Sequence, residues 1–315
     1  LFWKKEKPMS SHVARENVLG RRRLLQAAGV ALAAGPLAKL TAQAAPAKAS
    51  PWQIGCYTRP WDQQDCEAAL DGIAAAGYKH AALMTAKGGK GPFVIHAGTN
   101  VEDAAAVGER ARKRGLTILN VYAGEPPVAA GEEAGAAGLK RMIDNTAACG
   151  CGGLMLGGIG KAELVDAYCR VVAQCCDYAA AKKVSLSVKP HGGQNATGPQ
   201  LRRMIEKVNH TNFRLWYDPG NVYYYSAGKL DPVEDVKSVA GLIVGMSVKD
   251  FQAPKNVNVT PGSGLVRWKE LFAALKAGGF AGGPLVVECT ARGAGVDVTA
   301  EARKARLFLE EITAG

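Results

Sequence analysis

The chain has 315 residues, 48% of them hydrophobic, with 38 glycines and a formal net charge of +11. That length and apolar content suit one large α/β barrel or two ordinary domains. The charge is uneven: residues 1–44 hold eight basic and two acidic residues, leaving +5 for the remainder without a dense basic run. A nucleic-acid-binding surface is therefore set aside.

Residues 1–44 read as a targeting segment. A basic stretch leads to Gly20-Arg21-Arg22-Arg23-Leu24-Leu25-Gln26, an Ala-rich run continues to Leu40, and Ala42-Gln43-Ala44 offers small residues to a signal peptidase. Paired arginines before Leu-Leu resemble the twin-arginine signal. The expectation is export in folded form, to the periplasm or beyond, with the twin-arginine machinery as a partner. The apolar run is short for a membrane anchor and is broken by Gly35-Pro36, so no stable anchor is expected after cleavage. A Pro/Ala/Lys linker at 45–51 then leads into a domain spanning 52–315.

From Trp52 onward, short apolar runs alternate with amphipathic ones. Strands are expected at 52–57, 78–84, 116–122, 153–156, 184–188, 213–217, 242–248 and 285–287. Helices are expected at 62–76, 101–114, 132–149, 162–182, 198–208, from Asp231-Pro232, at 266–277 and at 299–313. The stretch 85–100 is a glycine-rich loop containing His96. Eight strands, each followed by a helix, force a parallel sheet and match a closed (β/α)8 TIM barrel. A doubly wound open sheet is the alternative, but Cys56-Tyr57-Thr58-Arg59-Pro60 is not the Gly-rich phosphate turn that fold normally carries. The eight cysteines, including Cys149-Gly150-Cys151 and Cys175-Cys176, lack zinc spacing and read mostly as buried free thiols.

The last four strands each break off at a polar cluster: Lys189-Pro190-His191-Gly192-Gly193, Asp218-Pro219-Gly220-Asn221, Ser247-Val248-Lys249-Asp250 and Glu288-Cys289-Thr290. In a barrel these clusters converge at the C-terminal face, where active sites form. Lys189, His191 and Glu288 are the candidate catalytic groups. Asn221, Lys249, His96, Glu125 and Arg292 are candidate substrate contacts, with Trp61 and Tyr223 nearby on the rim. Each has a plainer reading: Asp218 as a turn cap, Lys189 as a solvated loop lysine, Lys249 as a partner of Asp250. His80, in an apolar strand, reads as core.

These four clusters, with Gly262-Ser263-Gly264 through Trp268 and Ala281 to Glu288, resemble the xylose-isomerase-like sugar (phosphate) isomerases and epimerases. The resemblance covers residues 52–312 in period and is sharp from 184. It implies a divalent metal (Mn, Mg, Zn or Co) held by a Glu, an Asp, a His and a second Glu, clamping sugar oxygens and stabilising an enediolate. Asp218 and Glu288 match this ligand set, while Lys189 and Ser247 replace the other two ligands. An inward-pointing Lys189 would take the cation's electrostatic place. The implied activity is isomerisation, epimerisation or a related lyase reaction on a sugar, by proton transfer next to a carbonyl with Glu288 as base. The alternative is a barrel that has lost its metal and binds a sugar or partner without turnover. A homo-oligomer stays open. Five histidines are too few for the multi-zinc endonuclease branch of the superfamily, and no Gly-x-Ser-x-Gly elbow supports a serine hydrolase.

Overall fold

The computed structural model describes residues 50–88 and 91–314; the signal-like segment and the linker up to residue 49 lie outside the described residues. In chain order the elements are β1 (Trp52–Tyr57), α1 (Cys66–Ala75), β2 (His80–Leu83), α2 (Val101–Lys113), β3 (Thr117–Tyr122), α3 (Glu132–Ala148), β4 (Gly153–Leu156) and α4 (Val165–Ala181). The second half runs β5 (Ser185–Val188), α5 (Gly198–Val208), β6 (Phe213–Tyr217), α6 (Pro219–Tyr225), α7 (Pro232–Asp235), β7 (Ile243–Val248), α8 (Trp268–Ala277), β8 (Gly283–Val287) and α9 (Val298–Thr313). Every strand pairs in parallel with its neighbour in sequence, and β8 returns to β1 with Ile54 opposite Leu285. This closure rules out the open-sheet alternative.

Side-chain parity along the strands positions everything that follows. Successive strand residues point to opposite faces. Cys56, Leu83, Val121, Leu154, Leu215 and Leu285 join the large core between strands and helices. Their neighbours Tyr57, Ala82, Tyr122, Met155, Trp216 and Val286 form a second cluster filling the barrel itself. Counting on in twos from the inward residues Trp216 and Val286 reaches Asp218 and Glu288. Ser187 and Ser247, both buried, hold the matching positions on β5 and β7. Two residues further lie Lys189 and Lys249. Parity thus aims two lysines and two carboxylates at one mouth.

Several expected boundaries move, each for a local reason. The first helix starts at Cys66 rather than 62, because the Asp65 carboxylate accepts from the Ala68 amide as N-cap. Residues 59–61 form a 3-10 turn instead, which carries Arg59. The expected turn after β6 is a short helix, α6, with Asp218 as N-cap and Pro219 in its first turn. The helix opened by Asp231 lasts only four residues before a 3-10 turn at Val236–Val239. The eighth expected strand begins two residues early, at Gly283, and the helix before it two residues late, at Trp268. None of the helices among the described residues is long and apolar enough to cross a membrane.

Candidate functional site

The C-terminal ends of β5 to β8 deliver a buried charge cluster. Lys189 Nζ lies 2.7 Å from Glu288 Oε2 and 3.1 Å from Asp218 Oδ2. Lys249 Nζ bridges the same two carboxylates, at 2.6 Å from Glu288 Oε1 and 3.0 Å from Asp218 Oδ2. Arg59, on the turn after β1, donates from Nη1 to Glu288 Oε1 at 2.8 Å. The two lysines and two acids are at most 1% exposed, so these charges are held by one another rather than by water.

Backbone and amide contacts fix the frame. The second oxygen of Asp218 accepts from the Asn221 amide at 2.9 Å, so one carboxylate both caps α6 and enters the cluster. Asn221 donates its side-chain amide to Pro190 O at 2.7 Å and accepts from Lys249 Nζ at 3.0 Å. Asn195 donates to the carbonyls of Gly157 and Lys189, tying the β5 loop to the end of β4. A Cβ on Gly220 would stand 2.6 Å from Lys249 Cγ and 2.8 Å from its carbonyl, so only glycine lets α6 approach β7 this closely.

Burial alone would drive Glu288 towards neutrality, but Lys189, Lys249 and Arg59 outweigh it and hold its carboxyl well below the usual range. Burial likewise opposes the charge on Lys189; Glu288 and Asp218 overcome that and keep it raised. His191 shows the opposite balance. Burial, reinforced by the two lysines, pushes its imidazole down to about 4. Its ring sits between Tyr122, at 6.1 Å, and Tyr225, at 5.8 Å. Lys189 Nζ is 5.6 Å from the Tyr122 ring centre.

The other sequence candidates fall at different distances from this centre. Glu125 is exposed and not part of the cluster: a Cβ added to Gly157 would meet both its carboxylate and the Tyr122 hydroxyl, and partial desolvation raises its pKa. The structure does not bring His96 to the cluster. Its Nδ1 accepts from the Gly98 amide, and its carbonyl is held by Asn145 of α3. Arg292 pairs with Asp62 at 2.8 Å on the outer rim. Tyr223 stacks on Phe251, and Trp61 is buried in the core. Lys249, expected as a substrate contact, is locked into the cluster, and its neighbour Asp250 turns away from it. Asp250 accepts from the amides of Phe251, Gly262, Gly264 and Val266 and from Trp268 Nε1. Sequence reasoning missed Arg59; the signal available was its place two residues beyond inward-facing Tyr57.

A profile of the xylose isomerase-like TIM barrel matches residues 70–312. The chain belongs to that family. Among solved structures, a D-psicose 3-epimerase in the presence of D-fructose aligns with a TM-score of 0.66 at 14% identity, covering 84% of this chain and 100% of that one. An L-ribulose 3-epimerase gives 0.65 at 17% identity, covering 84% and 95%. A xylose isomerase domain protein from Planctomyces limnophilus gives 0.62 at 19% identity, covering 83% and 97%. At these identities the likeness establishes the fold. No curated protein matches the chain by sequence.

The donor set of this barrel does not fit the divalent metal that the family resemblance implies. Among the described residues no three His, Cys, Asp or Glu side chains stand together as ligands. Both carboxylates that match the pattern are already engaged by ammonium groups within 3.1 Å. Ser247 sits one inward position below Lys249, where its hydroxyl accepts from Trp216 Nε1 at 3.2 Å. A cation entering here would meet three positive side chains before it met a free oxygen.

Proposed function

We propose that this barrel moves a proton next to a carbonyl of a sugar, as an isomerase, epimerase or related lyase, with ammonium groups doing the electrostatic work of a metal. The observation that carries the reading is the double bridge, in which two buried lysines share the same two carboxylates at the mouth of the barrel. Fixed cations aimed at one point stabilise the oxyanion that develops when a carbon acid loses its proton. Arg59 and Lys249 line the cavity above the cluster, and their positive charge is what acts on that oxygen, Lys249 through its field alone because its three N–H groups are taken. The solved 3-epimerases of the same fold support the sugar assignment by analogy.

In this reading the proton is carried by His191 rather than Glu288. Glu288 has both oxygens engaged by cations and does not line the cavity, whereas His191 does line it and is neutral above about pH 4. The direct test is deuterium uptake at substrate carbon from heavy water across a panel of sugars, with and without a chelator. Uptake unaffected by EDTA is expected; uptake that appears only after a divalent ion is added sinks the ammonium mechanism.

The same saturated Glu288 favours the second reading, a barrel that binds a sugar without turnover. No uptake with any sugar, alongside measurable binding, would select it. The paired arginines at 21–23 support export of this activity through the twin-arginine route. Accumulation of the protein outside the inner membrane, lost on changing Arg21, Arg22 and Arg23 to Lys, is the expected result.

A further inference from the structure

A cavity of about 300 Å³ opens over the charge cluster, and every formal charge on its wall is positive. Buried Lys249, half-buried Arg59 and exposed Lys255 line it together with His191, Tyr225 and Asn258. Asp218 and Glu288 are absent from the lining, shielded beneath the lysines that bridge them. The balance at this mouth is three cations against two carboxylates in the cluster, plus Lys255. Lys255 has no acidic partner among the described residues and lies 5.3 Å from the centre of the Tyr224 ring. Arg59 uses Nη1 alone on Glu288, and its side chain keeps 29% of its surface exposed. No acidic residue lines the cavity to offset this positive field.

From this geometry we infer that the substrate is an anionic monosaccharide, its carboxylate or phosphate held between Arg59 and Lys255. The inference rests on the sugar reading above and narrows it. A neutral sugar gains only hydrogen bonds to its hydroxyls from this wall and nothing from the excess positive charge. An anion gains charge-assisted hydrogen bonds from a guanidinium fork and an ammonium. The volume lies at the lower end of small-molecule pockets, roughly 300–1,000 Å³, which suits one sugar ring rather than a chain. Lys249, its three N–H groups already given to Asp218, Glu288 and Asn221, contributes positive field beneath the cavity rather than a hydrogen bond to the sugar.

The test is calorimetric binding to matched trios: a hexose, its uronate and its 6-phosphate, in the gluco, galacto and manno configurations. At least one anion is expected to bind about tenfold or more tightly than its neutral parent, an advantage that shrinks as salt rises. Preference for the uronate or the phosphate identifies which anion the site takes. Lys255→Gln, on an exposed loop, should narrow the ratio of anion to parent by about fivefold. A panel in which no anion outbinds its parent overturns the inference, as does a ratio unchanged in Lys255→Gln. Deuterium uptake measured on the same panel separates this from the reaction itself. Uptake without charge preference sinks the anion assignment alone, and charge-selective binding without uptake sinks the proton-transfer reading alone.

Discussion

Lys189 is the residue on which the electrostatics turn. Its ammonium contacts both carboxylates, so Lys189→Met leaves Glu288 and Asp218 each short of a buried partner, a change that costs about 3–5 kcal/mol in comparable pairs. Urea unfolding of the two proteins measures it. The pH dependence of that difference has a definite sign. Glu288 is depressed when folded, so its share is present above the ordinary carboxylate range and fades only as pH falls well below it. Lys189 is raised, so its share is complete below its ordinary value of 10.5 and fades above that. The stability gap should therefore stay flat through neutrality and close at both extremes. His191 makes a kinetic prediction: the acid limb of kcat/KM falls near pH 4 rather than 6.5, and His191→Asn lowers the rate by about 10²–10⁴-fold. A limb near 6.5 would place another group in that role. Four of the site residues were legible because Lys189, Asp218, Lys249 and Glu288 each end an apolar run. Their partners were not. Parity from Tyr57 points Arg59 to the same mouth, but nothing in Thr58-Arg59-Pro60 says that a 3-10 turn will bring its guanidinium onto Glu288.

At the scale of elements, two carboxylates hold loops as well as charges. Asp218 divides its oxygens between the α6 cap and the lysines. Asp218→Asn keeps a good N-cap while losing the charge; Asp218→Ala loses both and should be less stable by about a further 1 kcal/mol. Equal stabilities for the two variants would show that the cap contributes nothing. Asp250 gathers four amides from the segment between β7 and α8, which carries Lys255 and Asn258, and the indole of Trp268 at the start of α8. The alternation of strands and helices was readable because buried runs and amphipathic runs have different periods. The short helices were not, since α6 and α7 are set by a cap and a proline rather than by a periodic face. The start of α8 escaped for a related reason: its N-cap is Arg267, which makes no side-chain cap hydrogen bond and so leaves no capping signal in the sequence.

Over the whole molecule, barrel closure leaves the cysteines little part in stability. All eight are free, and seven of them are buried, Cys66 being the partial exception. Burial pushes Cys149 and Cys176 up to about 12, and Cys66 and Cys169 to about 11, so almost no thiolate exists at neutral pH. A chain that leaves the cytoplasm already folded would carry its thiols packed away before meeting an oxidising compartment, and would need no bridges to hold its shape. The native protein should therefore react slowly with Ellman's reagent, at most through Cys66, and should titrate eight thiols once unfolded in guanidinium without reductant. Its melting temperature should not move when dithiothreitol is added. Fewer than eight thiols on unfolding, together with a melting point lowered by reductant, would show that bridges form and that the barrel depends on them.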